Sequence, residues 1–449
     1  MSDIKIQPSA TGTATVTLTA PVTNTARTIT FPDSTGTILD STSTLDATKL
    51  SGNLPAISGA NLTSIPAANI TGTLPALSAA NLTSIPAANI TGTLPAISGA
   101  SLTGVRDTTD GRKNVIINGS MEIAQRGTTS GSLAASGGSF NYHTVDRWVY
   151  GRNTSSVVTM TQTADAPVGL KNCLQIDVTT ADASPSGYVR VVHRLEGQNI
   201  IHFGMGLAGT RYITLSFWHK HTKTGINTVC FQNWANNRSY VAEYTQSVSD
   251  TWERATITLT ADTTGTWVNT EAGSMLLQWA LHSHTTTSAG SWEAGNKVST
   301  SGQVNHLDST SNYFRITGVQ MELGSVATDF EFRSHGEELA LCQRYYEPFG
   351  NGWTARGETG SSTVFFGRFK VTKRTDPTIG VLTTNMRMYE WGVADRDAST
   401  VSVNSNAMRK NGGHIKCGGF SSTSTGELYG LGYNTSGTDG EPFSADSEL

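Results

Sequence analysis

The stretch SGNLPAISGANLTSIPAANI (51–70) is followed almost letter for letter by TGTLPALSAANLTSIPAANI (71–90), then by a partial third copy, TGTLPAISGASLTGV (91–105). Similarity at a fixed period marks stacked structural units, none of which buries its apolar face alone. The phased apolar positions are Leu54, Ile57, Leu62, Ile65, Ile70, Leu74, Leu77, Leu82, Ile85, Ile90, Leu94 and Ile97. Their spacing fits neither a heptad seam nor a 3.6-residue helical face. Pro55, Pro66, Pro75, Pro86 and Pro95 recur inside the pattern and exclude a long helix. Extended chain with a turn at each Pro-Ala step remains.

A solenoid needs about three or more repeats with capping units, and this block has fewer. The simplest source of the missing partners is other copies of the same chain. Residues 46–110 therefore read as a short intertwined shaft, for which a threefold homotrimer is the natural closed assembly. A flexible Ser/Thr/Gly linker is the alternative, but a linker has no use for strictly phased Leu and Ile.

Outside the repeat, composition narrows the classes. The 449 residues suit roughly three domains. Charged residues make up 15%, below the usual ~25%, and Thr, Ser, Gly and Asn fill the difference. That mix suits mainly β structure with neutral, hydroxyl-rich faces. A net charge of −4 offers no basic footprint for nucleic acid. MSDIKIQPSA has no apolar leader core and no long apolar run follows, so membrane insertion is not expected. Cys173, Cys230, Cys342 and Cys417 lie far apart, as small buried side chains of a protein made in a reducing cytosol. No metal or cofactor motif is legible.

Residues 1–45 carry short alternating strands around Val16, Leu18, Ile29 and Phe31. Over 111–335 alternation at Leu174/Ile176/Val178, Ile213/Leu215/Phe217 and Ile257/Leu259 predicts a two-sheet antiparallel sandwich. Ser334-His335-Gly336-Glu337 is a capping box opening a short helix near 337–346, with Leu339, Cys342 and Tyr346 on one face. Strands resume in a smaller β domain, so the last segment is 336–449.

Several stretches together resemble a bacteriophage tail fibre or related virion appendage. IKIQPSATGTATVTLTAP and RTITFPDSTGTIL are similar to the amino-terminal segment of such fibres. NVIINGSMEIAQRG, YHTVDRW, ITLSFWHK, DTWERATITLT and SWEAGN resemble a carbohydrate-binding-module-like jelly roll. GVQMELGSVATDFEFRSHGEELALCQRYYE resembles the exit from that module, and VTKRTDPTI with FSADSEL the small domain that closes such chains. The resemblance implies a homotrimeric structural protein, synthesised in the host cytoplasm and carried on the virion. It would attach through residues 1–45 to another virion protein and bind host polysaccharide or lipopolysaccharide through its distal β domains. A head fibre without receptor binding, or a polysaccharide-cleaving tailspike, are the alternatives.

Sugar sites of this kind set an aromatic face beside amide and hydroxyl groups. Trp148, Trp218, Trp252 and Trp279 lie in strand-like runs and suit core packing. Trp234, Trp292 and Trp353 lie among Gly, Asn and charged residues and are the binding candidates. The preferred constellation is Trp234 with Asn233, Asn236, Asn237 and Arg238. The carboxylates Asp146, Glu196, Asp250, Glu253, Glu293 and Glu322 stand in no distinctive pair, so a binder rather than an enzyme is expected. His219/His221 and His282/His284 alternate as on strands and read as ordinary surface histidines rather than a metal site.

Overall fold

The computed structural model describes residues 112–134, 140–383, 386–389, 396–398, 400–420, 423, 425–432 and 440–449, together with Thr25. The amino-terminal segment 1–45 and the repeat shaft with its twelve phased Leu and Ile positions otherwise lie outside them.

The first β unit is a sandwich. One sheet orders β1 (Phe140–Tyr142), β2 (Trp148–Arg152), β5 (Tyr188–Glu196), β10 (Gly273–Ser283), β7 (Gly225–Asn233), β8 (Arg238–Gln246) and β11 (Trp292–Ala294). The other orders β3 (Val157–Thr163), β4 (Cys173–Thr180), β12 (Tyr313–Leu323), β6 (Tyr212–His221) and β9 (Glu253–Thr260). The central strands pair as 4-12-6-9 and 5-10-7-8, with the chain crossing repeatedly between sheets. That is a double Greek-key jelly roll. Period-two patterning drives it: along β9, Ala255, Ile257 and Leu259 are buried while Arg254, Thr256 and Thr258 are exposed.

Between the sheets Trp148 and Trp279 lie 5.4 Å apart, and Phe217 meets Trp279 edge-on at 5.5 Å. Where β12 shifts register against β6, Gly318 has φ 59°, and a Cβ there would press on Leu170 and Trp218. The NVIINGSMEI segment is stapled to this core by its asparagines. Asn114 Oδ1 accepts from the Ile116 and Met321 amides, and Asn118 Nδ2 donates to the Ile123 and Asp146 carbonyls.

Helix α1 is a single turn, Gly197–Ile200. Helix α2 (His335–Gln343) starts at the Ser334 capping box, whose reciprocal hydrogen bonds with Glu337 are both formed. It ends three residues earlier than the sequence suggested. Tyr346 instead opens strand β13 (Tyr346–Phe349), while Leu339 and Cys342 pack with Ile117, Ile123 and Tyr345.

A second core follows. A three-stranded sheet orders β13, β22 (Phe443–Asp446) and β16 (Thr378–Val381). A seven-stranded sheet orders β18 (Arg396–Ala398), β17 (Met386–Tyr389), β21 (Leu428–Gly432), β14 (Thr354–Thr359), β15 (Ser362–Arg368), β20 (Gly412–Gly418) and β19 (Ser402–Asn406). Phe349, Phe365, Phe369, Phe443 and Ile415 fill the space between them. The VTKRTDPTI motif closes this unit. Buried Lys373 pairs with Glu347 and donates to the Gln343 carbonyl at 2.5 Å, and Arg374 holds the Ser447 and Glu448 carbonyls.

Candidate functional site

The preferred residues surround the turn joining β7 to β8. Asn233 is fully buried, and its amide is consumed in building that turn. Its Oδ1 accepts from the Asn237 and Arg238 amides at 3.0 Å, and its Nδ2 donates to Asn237 Oδ1 at 2.7 Å and the Thr266 carbonyl at 3.2 Å. Asn233 therefore positions the hairpin, and a ligand at the surface cannot reach it. Asn236 adopts φ 55° and donates to the Trp234 carbonyl, a turn role that asparagine tolerates well. Asn236 and Asn237 remain exposed.

Arg238 grips Asp262 with two bonds, Nε to Oδ2 at 3.1 Å and Nη2 to Oδ1 at 2.6 Å. Asp262 also accepts from the Gly265 amide and from Trp267 Nε1. Burial would raise this carboxyl, but the Arg238, Trp267 and Gly265 hydrogen bonds outweigh it and hold the pKa below the ordinary value. Arg238 is thus the anchor of the 262–267 loop.

The tryptophans part company. Trp292 pairs with Tyr240 across β11 and β8, on the face that carries core residue Phe231. Its indole meets Trp267 edge-on at 5.6 Å and donates to the Thr260 carbonyl. These rings close one end of the sandwich. Trp353 follows the 350–352 turn but is half-buried against the second core, 4.7 Å from Phe349. A Cβ on Gly367 would fall 2.1 Å from its ring, so the indole lies directly under that glycine.

Trp234 alone of the three remains open, with 37% of its surface exposed. Its amide donates to the Ser274 carbonyl and its ring covers Gly273, where a Cβ would come within 2.3 Å. The Arg194 guanidinium sits 5.8 Å from the Trp234 ring, 5.9 Å from Phe140 and 5.7 Å from Tyr142. Arg194 alternates with the buried His193 and Leu195, so it projects from the outer face of the seven-stranded sheet. Farther along that face Arg190 lies 4.0 Å over Tyr188 and bonds Gln278, which donates to Gln232. Beside the exposed Asn236 and Asn237 of the turn, the outer face thus carries Trp234 and Arg194, with Phe140 and Tyr142 around the guanidinium. Sequence reasoning missed Arg194, Phe140 and Tyr142, because only strand pairing brings Arg194 to Trp234 and the two rings to Arg194. Trp267 carried the same Gly/Thr-loop signal as Trp292 and was open to the same reasoning.

The six carboxylates singled out in the sequence each have a partner. Asp146 bonds Gln125, Glu196 bonds Gln198 and Arg344, and Asp250 at φ 54° bonds Tyr313 and Lys220. Glu253 caps the Ser247 and Val248 amides, Glu293 takes Thr287 and Glu322 takes Thr328. His219 and His221 are not surface residues: both are buried in the core with His306. His282 is partly buried and His284 is exposed; they bond the Pro185 and Gly187 carbonyls. Among the described residues no group of three or more His, Cys, Asp or Glu is placed to hold a metal ion. No described helix is long and apolar enough to cross a membrane. The four cysteines are buried and unpaired.

No protein-family model and no curated protein matches the chain. Among solved structures it is similar to the enzymatically active domain of tailspike protein 4 of bacteriophage CBA120, at 14% identity and TM-score 0.25. That match covers 40% of this chain and 19% of the tailspike chain. A family 11 carbohydrate-binding module from Clostridium thermocellum, in complex with a β-1,3-1,4-mixed-linked tetrasaccharide, matches at 12% identity and TM-score 0.23, over 43% of this chain and all of its own. The N-terminal cellulose-binding domain of Cellulomonas fimi β-1,4-glucanase C matches at 14% and 0.22, over 40% of this chain and 90% of its own. Scores of this size leave the fold assignment to the strand order and register described above.

Proposed function

We propose that this chain is a bacteriophage tail fibre that adsorbs to host surface polysaccharide or lipopolysaccharide without cleaving it. The sandwich uses the outer face of its seven-stranded sheet, and the observation that carries the reading is Trp234, held open beside Arg194. A tryptophan face packs against the C–H face of a sugar ring. The neighbouring guanidinium, one nitrogen of which holds the Leu449 carbonyl, supplies its remaining donors to ring hydroxyls or acidic substituents. Phe140 and Tyr142 extend the apolar surface, and β10 and β5 hold the set rigidly from below.

One such site is weak, about −4 kcal/mol for a millimolar Kd. Three sites carried on one trimeric shaft raise avidity ~10²–10⁴-fold on a repetitive envelope. Attachment to another virion protein through residues 1–45 places those sites on the particle.

The test is adsorption of the purified full chain to host cells and its competition with phage. Trp234→Ala lowers cell binding at least tenfold while leaving the assembly intact. Unchanged binding by that variant removes this site, and a wild-type chain that neither binds nor competes makes the protein a purely structural virion component. Release of reducing sugar ends from host envelope identifies a cleaving spike instead.

A further inference from the structure

The seven-stranded sheet of the second β unit buries one face, and among the described residues the other carries exposed side chains. Its registers place five residues in one line: Tyr389 opposite Gly430, Gly430 opposite Thr354, Thr354 opposite Phe366, and Phe366 opposite His414. Their chain neighbours Met388, Tyr429, Ala355, Phe365 and Ile415 are buried in the second core. The line therefore lies on the outer face. Tyr389 is 41% and Phe366 42% exposed. Between these two rings stand a glycine and a threonine, which makes the line a shallow groove bounded by aromatics. Three strand steps separate the rings, about 14 Å, a length that a short run of linked pyranoses fills.

Next to Phe366 the line opens into a broad, shallow depression of about 580 Å³ bordered by Arg368, Asn411, Gly412 and Gly413. Such a volume lies within the ordinary range for ligand sites, ~300–1,000 Å³. The flanking charge is mostly basic. Lys416 is paired with Glu358, and Arg387 with Asp397. Arg356 and Arg368 are exposed and have no carboxylate within ion-pair distance among the described residues.

We propose that this face is a second polysaccharide-binding groove, built for a uronic-acid-containing chain. The Tyr389 and Phe366 rings stack on sugar C–H faces, Asn411 and His414 select hydroxyls, and Arg356 and Arg368 take the carboxylates as charge-assisted pairs. The groove shares only its ligand class with the Trp234 surface and is read by different residues, so each stands or fails alone.

Gly430 provides the test. A Cβ there meets nothing within 4 Å, and its φ is not in the left-handed region. Gly430→Leu therefore fills the groove without straining the sheet, as an unchanged thermal midpoint verifies. Calorimetric titration of the full chain with polygalacturonate oligosaccharide shows binding by the wild type and by Trp234→Ala. Gly430→Leu and the double variant Arg356→Gln/Arg368→Gln weaken it at least tenfold, and neutral dextran oligosaccharide does not bind. The proposal is overturned by an absence of polygalacturonate binding, by equal binding of dextran, or by loss in Trp234→Ala with Gly430→Leu unaffected. Binding that persists in Phe366→Ala and vanishes in high salt also overturns it, because charge alone then suffices.

Discussion

His219, His221 and His306 meet inside the sandwich: ring centroids of the first pair are 5.1 Å apart, and those of His221 and His306 5.0 Å. His221 stacks on Phe314 at 4.4 Å, while His219 bonds Gln246 and His306 bonds Asn227. A fourth, His193, lies under Trp148 and bonds the Ile117 carbonyl. Burial lowers all four; His193 and His306 fall to about 3, and neighbouring charges add to the fall for His193, His221 and His306. Unfolded, each titrates near ~6.5. The unfolded chain thus binds more protons as pH drops below that value. The stability these groups contribute is full above it and is lost toward the folded values. Asp146, pushed up to about 7 by burial against the pull of Arg126, runs the opposite way with one proton. Four outweigh one, so the thermal midpoint falls between pH 7 and 5. His221→Phe makes the slope shallower, by up to ~1.4 kcal/mol per pH unit in unfolding free energy. A midpoint independent of pH in that window contradicts this. Alternation showed that His219 and His221 share a sheet face, but it could not say which face the second sheet covers.

Among elements, the β7–β8 hairpin separates two roles that one sequence stretch had merged. Asn233→Ala strips the turn of four hydrogen bonds and leaves the Thr266 carbonyl and two amides without that partner. Chemical denaturation should show a loss of about 1–3 kcal/mol, together with weakened glycan binding through the displaced turn. Trp234→Ala, by contrast, removes a ring that is 37% exposed and breaks no side-chain hydrogen bond of the turn, so it lowers binding with a smaller loss in unfolding than Asn233→Ala. Equal stability in both variants contradicts the assignment. The same contrast explains what was legible. The S-x-x-E box at 334–337 and the alternation in β4, β6 and β9 are local and were read directly. The partnership of Trp234 with Arg194, Phe140 and Tyr142 depends on cross-strand neighbours far apart in sequence. At Trp353, Gly350, Asn351 and Gly352 mark the turn that the structure shows, while the packing of the indole under Gly367 comes from a strand distant in sequence.

At the scale of the whole chain, the segment 446–449 ties the second β unit to the sandwich. Glu448 pairs with buried Arg147 and with Arg126, and Arg194 donates to the Leu449 carbonyl. The Arg147 guanidinium also lies 3.5 Å over the Tyr345 ring. Glu448→Ala leaves that cation without its carboxylate, a loss of about 3–5 kcal/mol. A separate low-temperature transition in calorimetry is expected, and a single unshifted transition contradicts it. The function proposed for these two units rests on several copies acting together, which in turn rests on the Leu/Ile repeat of 51–105. Light scattering on the full chain at micromolar concentration, after size-exclusion chromatography, tests that claim most directly. The account predicts a particle three times the 47.6 kDa chain mass; a well-ordered monomer contradicts it.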